Sequence, residues 1–484
     1  MVDRARLSPP RLLTPNAWPW HEAKWASLPS SILVSGDRRL EAESYLANAY
    51  AIRLALETRG GGWSRLAALA QVTQPSRLKG ILVKRGHGTP FLAATQVFDL
   101  RPTPRKWLSL ERTDDAKSRF VAPGAILVTR SGTVGKTMLA YRPLEGVIIS
   151  DDLLRVEPRQ SENWGWLYAF LRSPKCRAIM TAAQYGHVIK HLEVSHLDAL
   201  PVPDVDERLL PEFRRGAENV LNKRNTACDL ITQAEDLLDH QIGPIKPKEN
   251  AEAGFSVRAS CILGGRRRLE AAYHHPMVPA ILKRFQKLGL TTEPLETVSE
   301  RIWWLTRFKR VFGDEGMPYM SADELFSVNA PITKKVMIEQ AETPEDYYVK
   351  AGWIVMACSG QTYGLNGSVA LLDTRHEQNF FSHDIVRIIP RKDRIRPGYL
   401  YAVLGHPRLG RPLVIRHAYG TSIPHLDPGD VATIPVVRLP DEVEDAIADR
   451  TEKAVRLRAE ADEIENSLAA RAEQVIDDFL RGST

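Results

Sequence analysis

Residues 130–137 read Arg-Ser-Gly-Thr-Val-Gly-Lys-Thr, a near match to the glycine-rich loop that cradles nucleotide phosphates. That loop requires GxxxxGK[ST], and Arg130 stands where its first glycine belongs, so a nucleotide loop is not the reading. The glycines are better suited to a tight turn between strands, with Arg130, Ser131, Thr133 and Lys136 facing outward as candidate DNA contacts. Tyr185, His187 and Lys190, and further along Tyr419, Thr421 and Ser422, lie in glycine-containing stretches beside hydrogen-bonding side chains, the types that reach base edges in a groove. The competing view is that the two tyrosines only pack. His187 and His191 are four apart, yet no carboxylate or cysteine nearby completes a ligand set, so no metal is expected.

The run Arg301-Ile-Trp303-Trp304-Leu-Thr-Arg307-Phe-Lys309-Arg310 interleaves bases with apolar residues. Such bases neutralise phosphates while alternate side chains enter a core; the plainer alternative is a solvated strand face over buried tryptophans. Arg77, Lys79, Lys84 and Arg85 make an earlier basic stretch of the same kind. Catalytic signatures are missing from the sequence: no [DNS]PP[YFW] for amino-methyl transfer, no glycine-rich cofactor loop after a strand, no acidic-plus-lysine cluster for phosphodiester cleavage. A non-catalytic chain without a cofactor is therefore expected.

What positions these residues follows from length and charge. At 484 residues the chain exceeds a single hydrophobic core. No stretch is apolar enough to span a bilayer, and the first residues lack the apolar run of an export signal, so a cytoplasmic location without a membrane partner is expected. Cys176, Cys228, Cys261 and Cys358 form no CxxC pair and read as buried thiols. Net charge is +6, but it is unevenly spread: Asp206–Ile242 holds 8 acidic and 5 basic residues, and Asp441–Arg481 holds 13 acidic and 6 basic. The remainder is strongly basic, which points to a polyanion partner more firmly than the total does.

The decisive feature is an internal repeat. Arg39-Leu-Glu-Ala42 returns as Arg268-Leu-Glu-Ala271, and Gly88-Thr-Pro-Phe-Leu92 as Gly316-Met-Pro-Tyr-Met320. Gly124-Ala-Ile126 with Ser131-Gly132 matches Gly352-Trp-Ile354 with Ser359-Gly360, and Gly165-Trp-Leu-Tyr168 matches Gly398-Tyr-Leu-Tyr401. Tyr185-Gly186 with His191-Leu192 matches Tyr419-Gly420 with His425-Leu426. The matches keep their order while the offset grows by a few residues, as duplication followed by small insertions would give. Residues 125–129, 147–149 and 153–156 read as short buried strands, and Trp166–Met180 as helix with a proline break. After each copy comes a long segment with apolar residues at helical spacing. The first stripe is Leu209, Phe213, Ala217, Val220, Ala227, Ile231, Ala234, Leu238 and Ile242. The second is Val443, Ile447, Ala454, Leu457, Ala461, Ile464, Leu468, Val475 and Phe479. At about 1.5 Å per residue each helix would run roughly 50 Å, and stripes this narrow suit helix pairing better than packing on one domain.

In this order of motifs the chain resembles, from about residue 38 to 480, the specificity subunit of Type I restriction-modification systems. The resemblance implies a mixed α/β (α+β) fold: two pseudo-symmetric target-recognition domains, each followed by a long helix, the two helices pairing as an antiparallel coiled coil. The expected division is an N-terminal arm 1–37, recognition domain 38–204, spacer helix 205–243, linker 244–262, recognition domain 263–438 and spacer helix 439–482. It implies double-stranded DNA as partner, with methyltransferase subunits docked on the paired helices and, in a larger complex, a nuclease or translocase subunit. Residues 133–136 are Thr-Val-Gly-Lys where 361–364 are Gln-Thr-Tyr-Gly, so the two halves should read different bases; Ser359, Gln361 and Tyr363 join the candidate contacts. Competing readings are a protein-assembly adaptor without base-specific reading and a self-contained nuclease.

Overall fold

The computed structural model describes residues 49–183, 190–247, 254–263, 267–341 and 343–482. The arm 1–37, Tyr185 and His187 lie outside the described residues. Runs such as Ile126-Leu-Val-Thr129 and Ile354-Val-Met-Ala357 are apolar at nearly every position, and both are buried on both faces in the interior of a sheet. In the first repeat the order is Ala70–Thr73, Leu153–Pro158, Ile126–Thr129, Thr137–Leu139, all antiparallel. The second repeat builds the same sheet in the same order from Ser299–Trp303, Ile385–Pro390, Ile354–Ala357 and Val369–Leu371. A two-strand pairing closes each repeat before its long helix: Trp63–Arg65 with Pro201–Pro203, and Thr292–Pro294 with Pro435–Val437.

The long helices span Leu210–Ile242 and Asp441–Arg481, 33 and 41 residues, and glycines with positive φ follow each: Gly243 at 70° and Gly482 at 83°. They lie side by side and antiparallel. Phe213, Ala217 and Val220 share a core with Leu468, Ala472, Val475 and Phe479, while Ala227, Ile231 and Leu238 share one with Ile447, Ala448 and Ala454. Each repeat therefore completes its core with pieces of both helices.

The repeated glycines at 165 and 398 have a packing reason. They begin the buried helices Trp164–Arg172 and Pro397–Gly405, which lie directly on the long helices. A methyl on Gly165 would sit 2.4 Å from the backbone nitrogen of Arg214, and one on Gly398 2.7 Å from the carbonyl oxygen of Ala448. Backbone cannot yield locally, so Gly165→Ala and Gly398→Ala are each expected to destabilise by about 1–3 kcal/mol, measured as a fall in the denaturant midpoint. If both variants unfold at the wild-type midpoint, the close approach is not what these glycines serve.

The midpoint of the helix pair is ionic. Arg224 donates to both carboxylate oxygens of Glu465, at 2.9 and 2.7 Å, and to Asp462 at 3.1 Å. Arg172 of the first repeat reaches Glu465 at 3.0 Å, and Arg375 of the second reaches Asp462 at 2.8 Å. The Tyr168 hydroxyl also donates to Glu465. One network thus ties both helices to both repeats. A second tie is a short antiparallel clasp between equivalent loops: Leu100 N donates to Phe326 O at 2.8 Å and Val328 N to Phe98 O at 2.7 Å, with Asp99 opposite Ser327.

Three expectations are corrected. Cys176 and Cys358 are buried, but Cys228 is half-buried and Cys261 exposed, so the thiols are not uniformly interior. The strand in the basic run ends at Trp303, leaving residues 304–311 without regular structure rather than as one strand face. Lys136 does not face outward; its amine donates to Ser327 of the other repeat at 2.6 Å and sits 4.5 Å over the Phe98 ring, because the clasp covers it.

Candidate nucleic-acid interface

The turn after Ile126–Thr129 is fixed by its own polar groups. Lys136 N donates to Thr129 Oγ1 at 2.8 Å, and Arg130 N to Asp152 O at 2.9 Å. Ser131 Oγ donates to Asp152 Oδ1 at 2.8 Å and lies 2.8 Å from His191 Nδ1. In the second repeat Ser359 Oγ lies 2.8 Å from His425 Nδ1. The pair ties a central strand end to the loop before the domain's last strand, so its recurrence is scaffold. Asp152 went unread in the sequence, although Ser150-Asp-Asp152 recurs as Ser382-His-Asp384 with the same turn, Asp N donating to Ser Oγ at 3.1 Å in both.

Where the copies differ, the surfaces differ. In the first repeat Arg77, Arg130, Asp151, Asp152 and His191 line a cleft of about 540 Å³, with Arg130 3.6 Å from Asp152. In the second, Cys358 replaces Arg130 and His383 replaces Asp151. Burial holds His383 below its ordinary pKa; Asp384 opposes this, and Arg310 and Arg307 add to it. That leaves a neutral imidazole at pH 7, able to donate and accept, where the first copy presents a carboxylate.

The basic stretches form exposed faces. Lys79, Lys84 and Arg85 are exposed beside Arg77, Arg85 lying 5.5 Å over Trp107. Arg307 and Lys309 are exposed, whereas Arg301 is 3.6 Å from Asp346 and 4.3 Å over Trp303, and Arg310 donates to the Tyr319 hydroxyl at 3.0 Å. Thr421 and Ser422 are exposed on a loop that Gln361 pins by donating to the Ser422 carbonyl at 2.7 Å. Tyr419 is 37% exposed and exchanges two backbone bonds with His425, so it is anchored yet partly available. Thr133 is exposed at its turn.

Lys136, Lys190 and Tyr363 do not join these faces; they border a cavity of about 1580 Å³ between the repeats. Tyr363 is 67% exposed there, with Arg105 of the first repeat 5.9 Å from its ring centre. Arg101, Arg105, Arg177, Arg411 and Arg458 also line this space, and none belonged to a sequence motif. Among the described residues no group of three or more His, Cys, Asp or Glu is placed to hold a metal ion, and no helix is long and apolar enough to cross a membrane.

No protein-family model and no curated protein matches the chain. Among solved structures it is similar to the Type I restriction-modification S subunit from M. genitalium, at 13% identity over 87% of this chain and 96% of that one, TM-score 0.32. It is also similar to the HsdS subunit from Thermoanaerobacter tengcongensis, at 14% identity over 88% and 98%, TM-score 0.27. The type IIG restriction endonuclease BpuSI matches at 12% identity over 37% of this chain and 29% of its own, TM-score 0.26.

Proposed function

We propose that this chain is a non-catalytic DNA-specificity subunit that reads a bipartite, asymmetric double-stranded site and directs a partner methyltransferase to it. Residues 38–204 and 263–438 are the two readers, and 205–243 and 439–482 are the spacers on which methyltransferase subunits dock, in the cytoplasm. The observation that carries the reading is a scaffold built twice with the same sheet order, whose exposed basic faces and turn residues differ between the copies. A duplicated reader with identical faces would need a symmetric site; unlike faces on a fixed frame suit two unlike half-sites.

Binding-site selection on the full chain with random duplexes, followed by sequencing, tests this. Two separated sequence blocks are expected, and substitutions at Arg77 and Arg130 should relax only one of them, each base-edge interaction removed costing about 1–3 kcal/mol of discrimination. A single contiguous block, or affinity indifferent to salt, sinks the proposal. A protein-assembly adaptor remains the second reading, favoured by the acidic long helices; it predicts no selected sequence at all.

A further inference from the structure

The cavity between the repeats carries positive charge that the fold does not neutralise. Its acidic residues are mostly committed to other cations: Glu324 to Lys334 at 3.5 Å, Glu473 to Lys175 at 2.6 Å, Asp373 and Asp462 to Arg375 at 2.8 Å each. Arg105, Lys136, Arg177, Arg411 and Arg458 face the same space, and among the described residues none of them has a carboxylate within ion-pair distance. Arg411 donates to the carbonyls of Thr362 and Gly364, at 2.9 and 3.0 Å, and Arg458 to that of Leu100 at 3.4 Å, contacts that orient a guanidinium without cancelling its charge.

The one remaining carboxyl is Asp99, in the clasp. Burial pushes it up to about 7 against the pull of Arg105 and Lys136, so it supplies only part of a negative charge at neutral pH. Burial lowers Lys136 to about 8, and Arg177 and Arg172 push it the same way; burial lowers Arg411, with Arg101 and Arg105 adding to it. Like charges gathered in a partly closed space call for a counter-anion with more than one charged group.

Size and lining narrow the class. The space, about 1580 Å³, is larger than the ~300–1,000 Å³ usual for a compact small ligand, so it has room for a base, a sugar and an extended phosphate chain together. Apolar walls from Leu325, Phe326, Leu404 and Val455 adjoin the cations, and the Tyr363 ring stands open beside Arg105. A planar base stacked near Tyr363 with a phosphate chain running toward Lys136 and Arg177 would use both. Rigid duplex DNA carries its phosphates on the outside of a cylinder and meets outward surfaces; Arg105 is exposed, but Lys136, Arg177, Arg411 and Arg458 are half-buried in the walls of this space. From this arrangement we infer that the inter-repeat cavity binds a nucleoside polyphosphate, a ligand site separate from the exposed faces proposed to read DNA.

The test uses the full chain with ATP, GTP and inorganic tripolyphosphate as probes in calorimetry, beside Arg105→Ala/Arg177→Ala and, as a control outside the cavity, Arg307→Ala. Saturable binding of at least one probe is expected, with the dissociation constant raised about tenfold or more in the double variant and unchanged in the control. No saturable binding up to millimolar probe, or equal binding by the double variant, overturns the inference. If the double variant instead loses affinity for duplex DNA while no probe binds, these cations serve the DNA backbone and the small-ligand site is rejected. Duplex selection read in parallel keeps failure of this site distinct from failure of the DNA-reading proposal.

Discussion

Replacing Glu465 with alanine is expected to cost about 3–5 kcal/mol of folding stability. The carboxylate is fully buried between Arg224, Arg172 and Tyr168. Removing it leaves the Arg172 guanidinium without a carboxylate and Arg224 with Asp462 alone. Burial by itself would push the Glu465 pKa up, but Arg172, Arg224 and the Tyr168 hydroxyl outweigh burial and hold it at about 2. Because the folded value lies below that of an unfolded glutamate, the stabilisation is complete above the unfolded value and is lost as pH falls toward about 2. Urea unfolding from pH 7 down to 3 should therefore show wild type losing stability on acidification, and Glu465→Ala losing less. A variant whose midpoint stays within experimental error of wild type at pH 7 would show that the network contributes little. Exchanging Arg172, Arg224 and Glu465 together for apolar residues of similar volume should recover most of the loss, since the worth of the set lies largely in not being broken.

The second large effect concerns DNA. Arg307→Glu/Lys309→Glu is expected to weaken duplex binding by more than tenfold near physiological salt and to reduce the log–log salt slope by about 2, on the order of 0.9 for each phosphate no longer neutralised. These two are exposed and, among the described residues, have no ion-pair partner, whereas Arg301 is engaged by Asp346 and Arg310 by Tyr319. Arg301→Glu should accordingly cost less. Fluorescence anisotropy with a labelled duplex between about 50 and 200 mM salt would read both quantities. An unchanged slope in the double variant would move the DNA interface elsewhere and favour the adaptor reading.

Much of the frame was legible because repetition and periodicity are local signals. The stripe Phe213, Ala217, Val220, Ala227, Ile231, Ala234, Leu238 and Ile242 is buried as spaced, and the matched glycines mark close helix contacts. What periodicity skips is a charged residue inside an apolar stripe: Arg224 sits in the gap between Val220 and Ala227, and Asp462 and Glu465 flank Ile464. Nothing around Arg224 announces a carboxylate more than two hundred positions away. The same limit explains Lys136, whose outward turn was plausible until a loop of the other repeat closed over it. The cavity cations come from many separate elements and share no motif, so only the fold gathers them.

The interleaving of the two cores bears on how the chain is made. Leu468–Phe479 wall the first repeat's core, and Arg59 reaches past Phe479 to donate to the Leu480 carbonyl at 3.0 Å. A ribosome delivers those turns only after the entire second repeat has emerged. The first repeat consequently spends much of its synthesis, at about 5–20 residues per second, with one apolar wall open to solvent. Nascent chains halted before residue 468 should be engaged by holding chaperones and cut readily by protease, and completion of the last helix should release both at once.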